Sequence, residues 1–425
     1  MNIGIIGAGF TGLAAAHRLT KQGFEVTVFE GEDYPGGLAV GFTKKGWKWS
    51  LEKHYHHWFY SDFAIRKLAK ETGHKYIYLP TKTSTFIKGT IYQLDSPQSL
   101  MLFDKLSLLD RIRTGLVLAF LKLTPFWKPL EKVTARRFLA KYNGEKTWDM
   151  LWRPLFEKKF SHFADQIPAS WFWARIKKRS SSLGYPEGGF LKFATRLDAL
   201  IRQNKGRILY KTRVEKITKV DSKLEVLTDK GRFEFDKVIC TLPYASFANI
   251  VQDLPEPYSQ RLLSFKGIGA VNLMLVLKRE FLKNDIYWLN VSEENFPFLA
   301  VVEHTNFMDK RYYGGNHIIY VGNYLPQDHP FYSKEPRELF ELFLPYLQKI
   351  NPEFRQNWVM EANKFTAPFA QPIVPLNYSK IMPQIKTPIE GLFLTNIQQV
   401  YPWDRGTNYA VELGEKAANM VIQSR

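Results

Sequence analysis

The sequence predicts an α/β fold in which a parallel sheet is interleaved with a second unit of α+β texture. Three observations predict it. Apolar runs at 2–6 and 25–30 flank a glycine-rich turn and an alanine-rich stretch, the strand–turn–helix–strand order that opens a parallel sheet. Several short strands then follow one another between 208 and 242 with turn residues rather than helices between them. A last apolar run begins at Gly391, followed by a polar aromatic loop and a closing helix from about Thr407.

A chain of 425 residues exceeds one ordinary core, so two domains are expected. No internal repeat and no low-complexity linker divides them. The domains are therefore expected to alternate along the chain, one built from 1–75, 185–248 and 385–425, the other from 76–184 and 249–384.

Taken in order, residues 31–60 read as an extended loop with a strand near 46–51. Strands follow at 76–80 and 85–94, the latter a hairpin turning at Lys88-Gly89, and 97–180 is mostly helical. A helix at 189–204 leads into strands at 208–210, 214–220, 223–228, 231–235 and 238–242, which alternate like an antiparallel meander beside the parallel sheet. Long strands are expected at 270–278, 298–303 and 317–323. A helix then opens at Pro336, where a missing N–H costs nothing, and runs to about Ile350 with Pro345 inside it.

Composition narrows the partners. With 59 Lys and Arg against 41 Asp and Glu the formal charge is +18, which suits an anionic substrate or an anionic membrane surface. Nucleic acid is disfavoured, because the basic residues are dispersed and no reader motif accompanies them. The 15% aromatic content fits either a deep apolar pocket or simply large cores. The single cysteine, Cys240, lies in an apolar strand-like run and reads as a core residue. It excludes internal disulfides and cysteine metal clusters, and is consistent with a reducing, cytoplasmic setting. No run approaches the roughly 18–20 apolar residues that span a bilayer. The apolar start at 3–16 lacks a basic leader and carries spaced glycines, so it is not read as a signal sequence.

Gly7-Ala8-Gly9-Phe10-Thr11-Gly12 fits G-x-G-x-x-G. Gly7 makes the turn out of the strand, Gly9 lets a pyrophosphate approach the backbone, and Gly12 lets the helix pack on the sheet. Phosphates would sit on the free N–H groups at the helix start. Glu30, 18 residues past Gly12, ends the next strand, where a carboxylate accepts hydrogen bonds from an adenosine ribose and repels a 2′-phosphate. The N-terminal domain is thus Rossmann-like. The sequel Glu32-Asp33-Tyr34-Pro35-Gly36-Gly37-Leu38 adds a Gly36-Gly37 pair, a second backbone approach for a longer cofactor.

With that pair the chain resembles the flavin family of protoporphyrinogen oxidases, amine oxidases, carotenoid desaturases and UDP-galactopyranose mutases, although Leu38 stands where the family usually carries Arg. Residues 210–217 resemble the strand whose valine backbone meets adenine, which implies Val214. Residues 391–396 and 404–410 resemble the closing flavin loop and helix, implying Asn396, Gly406, Thr407 and Asn408. Stretches 152–160 and 184–190 resemble the protoporphyrinogen oxidase-like branch. The resemblance implies FAD. It is expected to be held noncovalently, since the one cysteine, Cys240, has the wrong strand setting for a flavin link, and a histidyl link through 54–57 is the alternative.

Three histidines in Glu52-Lys53-His54-Tyr55-His56-His57-Trp58-Phe59 invite a metal reading, but no partner ligand pattern accompanies them, so no metal site is expected. A flavin-facing role suits them better. The spacing His54-x-x-His57 is similar to a segment of the mutases, whereas His56 matches the oxidase and desaturase pattern. The basic run Arg175, Lys177, Lys178 and Arg179 reads either as solvated surface or as an anion clamp, and Arg405 is the better single anion contact. Residues 106–127 read either as a core helix or as an amphipathic helix for a membrane interface.

The resemblance implies an FAD-dependent oxidoreductase taking hydride from a C–H bond of a small organic substrate. The alternatives are a mutase-like isomerase acting on a nucleotide sugar, and a non-catalytic FAD-binding partner protein.

Overall fold

A computed structural model describes residues 1–424. The first strand, β1 (Asn2–Ile6), is followed by helix α1 (Phe10–Lys21) and strand β2 (Glu25–Phe29). Around β1 a five-stranded parallel sheet forms in the order Arg207–Leu209, β2, β1, Lys237–Cys240, Leu392–Leu394. The strands at 207–209 and 237–240 thus belong to this sheet. Only Val214–Val220, Lys223–Thr228 and Gly231–Phe235 make the antiparallel meander, which is shorter than the sequence suggests.

Side-chain alternation explains the layering. Ile3, Ile5, Val26, Val28 and Ile239 face α1, Phe190–Gln203 and the closing helix Thr407–Gln423. Ile6, Phe29, Val238 and Cys240 face the opposite way, against Ile217, Leu224, Val226 and Phe235 of the meander. Cys240 is fully enclosed there, and burial pushes its thiol up to about 12.

A second sheet of seven strands runs Val359–Pro372, Gly267–Leu277, His317–Leu325, Ala300–Glu303, Ile286–Val291, Lys82–Ile87, Thr90–Gln93. Its even-numbered face (Met274, Val276, Ile318, Tyr320) packs on the parallel-sheet unit. Its odd-numbered face (Leu273, Leu275, Ile319, Val321) carries the helix Pro336–Ile350. The expected hairpin is present, with Lys88 and Gly89 both at positive φ. The strand Val359–Pro372 was not foreseen. Its prolines and polar residues weaken the strand signal, and they are tolerated because it is an edge strand with one side unpaired. In 31–60 the strand expected near 46–51 shrinks to two residues, Leu51–Glu52. A short helical turn at Gly37–Ala39 and the two-residue pair Gly41–Phe42 with Leu51–Glu52 hold the segment. A small sheet joins Trp58–Phe59, Ser182–Pro186 and Tyr76–Pro80 across the segment boundaries. Helices between Leu108 and Lys178 form a third cluster around Trp148, Phe156, Phe160 and Trp171. Among the described residues no helix is long and apolar enough to cross a membrane.

Candidate active site

At the end of β1 the chain turns through Gly7 at φ +97°. A β-carbon on Gly12 would lie 1.9 Å from the Gly7 carbonyl oxygen, so only glycine lets α1 start this close to the strand. Gly36 and Gly37 fold back onto the turn. The Gly36 N–H donates to the Ala8 carbonyl at 2.9 Å, and a β-carbon on Gly37 would lie 3.0 Å from the Gly9 α-carbon. Two glycine backbones thus meet above the start of α1, whose first amides have no acceptor within the helix.

Glu30 closes the side of this cradle. Its Oε2 accepts from the Ala8 N–H at 2.7 Å and its Oε1 from the Glu32 N–H at 3.0 Å. The segment carrying Val214 is brought alongside, since the N–H groups of Thr212 and Lys211 donate to the carbonyls of Glu30 and Glu32. Gly7, Gly9, Gly12, Glu30, Gly36, Gly37 and Val214 therefore converge on one end of the molecule.

The even-numbered face of the seven-stranded sheet and the loop 54–57 enclose the other end of the site. A cleft with about 390 Å³ of empty space lies between them, lined by Leu38, His54, His56, Asn272, Tyr324 and Arg405. Asn272 reaches His54 Nδ1 at 2.6 Å. Since the amide nitrogen donates, His54 carries its proton on Nε2. His56 Nδ1 donates to the His54 carbonyl at 2.6 Å. Burial, then His56 and Arg405, pushes His54 down to about 3, and burial pushes His56 down to about 4, so both are neutral near pH 7. His57 turns away, with Nδ1 3.1 Å from the Tyr287 hydroxyl. The sequence could not separate the three. The fold puts two in the cleft.

Arg405 closes the cleft beside the N-terminus of the last helix. Its guanidinium donates to Gln371 Oε1 at 3.0 Å and to the Tyr324 hydroxyl. Its neighbour Asp404 accepts from Trp171 Nε1 at 3.2 Å and faces Lys159 at 3.8 Å. Lys159 is only 5% exposed, with its ammonium 4.9 Å from the Tyr324 ring centre. Burial alone would raise the Tyr324 phenol and the Asp404 carboxyl. Arg405 and Lys159 outweigh it and hold both below their ordinary values. Arg175, over Trp171 at 5.9 Å, and Arg179 extend the positive wall toward His57. Neither guanidinium has a carboxylate ion-pair partner among the described residues.

Two residues carried over from the resemblance have other work in this chain. The Asn396 side chain caps a short turn by accepting from Gln398 N–H, and donates to the Leu242 carbonyl at 2.7 Å. Asn408 accepts from the N–H groups of Ala64 and Ile65, capping the helix Phe63–Glu71, and donates to Glu412. Their side chains are committed to the scaffold, and only backbone around Gly406 and Thr407 is left for a ligand. Sequence reading missed Asn272, Tyr324 and Lys159 as site residues. Asn272 did carry a signal, as the one strongly polar residue in the otherwise apolar strand Gly267–Leu277.

A family model described as flavin containing amine oxidoreductase matches residues 10–422. The chain belongs to that family. Membership implies a flavin cofactor and oxidoreductase chemistry. A 1-hydroxycarotenoid 3,4-desaturase from Flavobacterium sp. (strain P99-3) is 22% identical over 334 residues, 68% of this chain and 66% of the desaturase. The chain thus spans slightly less than two thirds of that relative, and matches a monoamine oxidase-like protein and diapophytoene desaturases over only 9–10% of their length. A provisionally named protoporphyrinogen oxidase from Exiguobacterium sp. shares the fold at TM-score 0.79 and 14% identity, covering 100% of this chain and 99% of that one. A reduced UDP-galactopyranose mutase does so at TM-score 0.77 and 16% identity, covering 100% and 96%. The open glycine cradle, the Glu30 carboxylate and the cleft beyond them fit a flavin dinucleotide.

Proposed function

We propose that the chain binds FAD noncovalently and oxidises a C–H bond of a small substrate that carries an anionic group. The observation that carries this reading is the imbalance of charge at the cleft. Arg405 lines the cleft with Lys159 close by, both facing the Asp404 carboxylate, and Arg175 and Arg179 stand behind them with no carboxylate within ion-pair distance among the described residues. Glu30 would hold the ribose and the start of α1 the diphosphate, with Gly36 and Gly37 covering it. When bound, the flavin supplies the hydride acceptor. The chain supplies orientation and a dry, positively charged surround. Neutral His54 and His56 add no charge, and His56, its one proton on Nδ1 and given to the His54 carbonyl, leaves Nε2 as an acceptor, while Tyr55, packed edge-on to Trp288 at 4.9 Å, keeps water from that side.

The test is anaerobic flavin reduction by paired substrates, anionic amines or acids against their neutral esters. Arg175→Ala is expected to raise KM for the anionic member roughly tenfold with little change in kcat, by loss of a charge-assisted contact. Equal rates for both members in the wild type would overturn the anionic reading. Acid precipitation is expected to release the yellow colour, whereas colour kept in the pellet would mean covalent flavin.

A mutase-like isomerase is the second reading, favoured by the same basic wall, which would suit a nucleotide sugar. Only His54 of its His54–His57 pair lines the cleft. Turnover that requires prior flavin reduction, with no net oxidation of substrate, would select it.

A further inference from the structure

The helical segment between Met101 and Lys132 presents an apolar surface that nothing in the described chain covers. Leu102 is 81% exposed, Leu116 67%, Leu123 76% and Phe126 74%, and Leu108, Leu109, Ile112 and Phe120 are each 44–57% exposed. On the helix Leu108–Leu123, Leu109, Ile112, Leu116, Phe120 and Leu123 fall within an arc of about 80°. The buried residues of the same helix, Thr114 and Leu121, lie on roughly the opposite side. The helix therefore packs inward by a narrow face and turns its apolar stripe outward, the reverse of the ordinary arrangement.

Charge beside the stripe is one-sided. Arg113, Lys128 and Lys132 are exposed and form no ion pair. The acidic residues of the segment are otherwise occupied. Asp104 pairs with Lys105 at 3.2 Å, Asp110 binds the Ser107 hydroxyl at 2.7 Å, and Glu131 is buried against Ser379 and Tyr401. We propose that this face docks on an anionic lipid surface, with the helix in the plane of the interface and its leucines and phenylalanines among the acyl chains. An apolar stripe edged by unpaired cations matches a layer that is apolar inside and negative at its head groups.

The docking face is fixed to the wall of the cleft. Lys122 Nζ donates to the carbonyls of Lys177 and Arg179 at 3.2 and 2.6 Å, and Lys177 Nζ returns bonds of 2.9 Å to the carbonyls of Lys122 and Leu123. Trp173 Nε1 donates to the Thr124 carbonyl at 3.0 Å. The helix Ala169–Lys178, which carries Arg175, is thereby held against the docking helix.

The experiment is co-sedimentation of the full-length protein with vesicles of phosphatidylcholine alone and of phosphatidylcholine mixed with phosphatidylglycerol. Binding to the mixed vesicles is expected, weakening as salt rises. The variant L116Q/L123Q is expected to lose about tenfold or more in partitioning while keeping its melting temperature and flavin content. The variant R113E/K128E is expected to lose about fivefold per charge on mixed vesicles only. Wild-type protein that ignores both vesicle types would overturn the proposal. So would binding that neither variant weakens, or a solution oligomer that L116Q/L123Q dissolves while vesicle binding is absent, which would make the stripe a protein–protein face.

Discussion

Gly9→Ala separates the cofactor cradle from the fold. A β-carbon built on Gly9 meets nothing closer than the Gly37 α-carbon at 3.7 Å, and the backbone there (φ −68°, ψ 173°) is one that alanine adopts freely. In the apoprotein the added methyl reduces unfolded-state freedom, about 0.4–1 kcal/mol of stabilisation, and gives a somewhat poorer helix cap, a cost of similar size. The apoprotein is expected to melt within about 2 °C of wild type. With a pyrophosphate in place the methyl occupies its space, and overpacking of about 1–3 kcal/mol weakens FAD about 5- to 150-fold. Gly12→Ala is the control of opposite kind. Its β-carbon, 1.9 Å from the Gly7 oxygen, forces the turn apart and lowers the melting temperature before any cofactor is added. Circular dichroism on apoprotein and quenching of flavin fluorescence on titration measure the two effects. A Gly9→Ala protein that binds FAD as tightly as wild type would refute the assignment of the cradle.

Burial pushes the Glu52 carboxyl up to about 7, although it accepts from the Tyr185 hydroxyl at 2.6 Å and the Phe190 N–H at 2.9 Å. Its raised value means that the associated stability is complete below about pH 4.5 and is lost as pH rises through about 7, on the order of 3 kcal/mol. Glu52→Gln should therefore gain in melting temperature over wild type between pH 5 and pH 8, and a pH-independent difference would count against the buried acid. Burial, with Arg175 nearby, lowers Arg179 to about 10, so its unpaired guanidinium is a cost to the empty protein. Arg179→Met is expected to stabilise by about 1 kcal/mol in urea unfolding while weakening anionic substrates; loss of stability would indicate a structural arginine. Enclosure and its raised value should make Cys240 inert to a thiol reagent until denaturant is added, and fast labelling of native protein would contradict its place between sheet and meander.

What the sequence made legible were features in which local backbone geometry is itself the signal. The turn of Gly7 to Gly12 needs absent side chains, the Glu30 position follows from the length of one strand–helix–strand unit, and the Lys88-Gly89 hairpin needs two residues at positive φ. What was not legible depends on partners distant in sequence. Val359–Pro372 is a strand only because Gly267–Leu277 pairs with it. Asn408 is a helix cap only because Ala64 and Ile65 arrive beside it, 344 and 343 residues away. His54 and His57 have equal claims in the sequence, and the choice falls to Asn272 and Tyr287, which lie on different strands of the second sheet.

The charges at the cleft also bear on where a substrate proton could go. His54 and His56, held at about 3 and 4, are weak bases at neutral pH, and Asp404 is neutralised by Lys159 and Arg405. Tyr324 differs from them. Arg405 donates to its hydroxyl, Lys159 lies over its ring, and together they draw its phenol below the ordinary tyrosine value. A phenol so placed can accept a proton at a pH where a solvated tyrosine could not, and general-base assistance of this kind is worth about 10²–10⁴-fold in rate. If the oxidised C–H bond lies next to an ionisable group, Tyr324→Phe should slow flavin reduction and remove the rise of kcat/KM with pH, without altering FAD affinity. Stopped-flow reduction across the pH range reads both. A variant that keeps the wild-type pH profile would leave Tyr324 as a ring that positions Arg405, and would mean that the substrate arrives with its proton already lost.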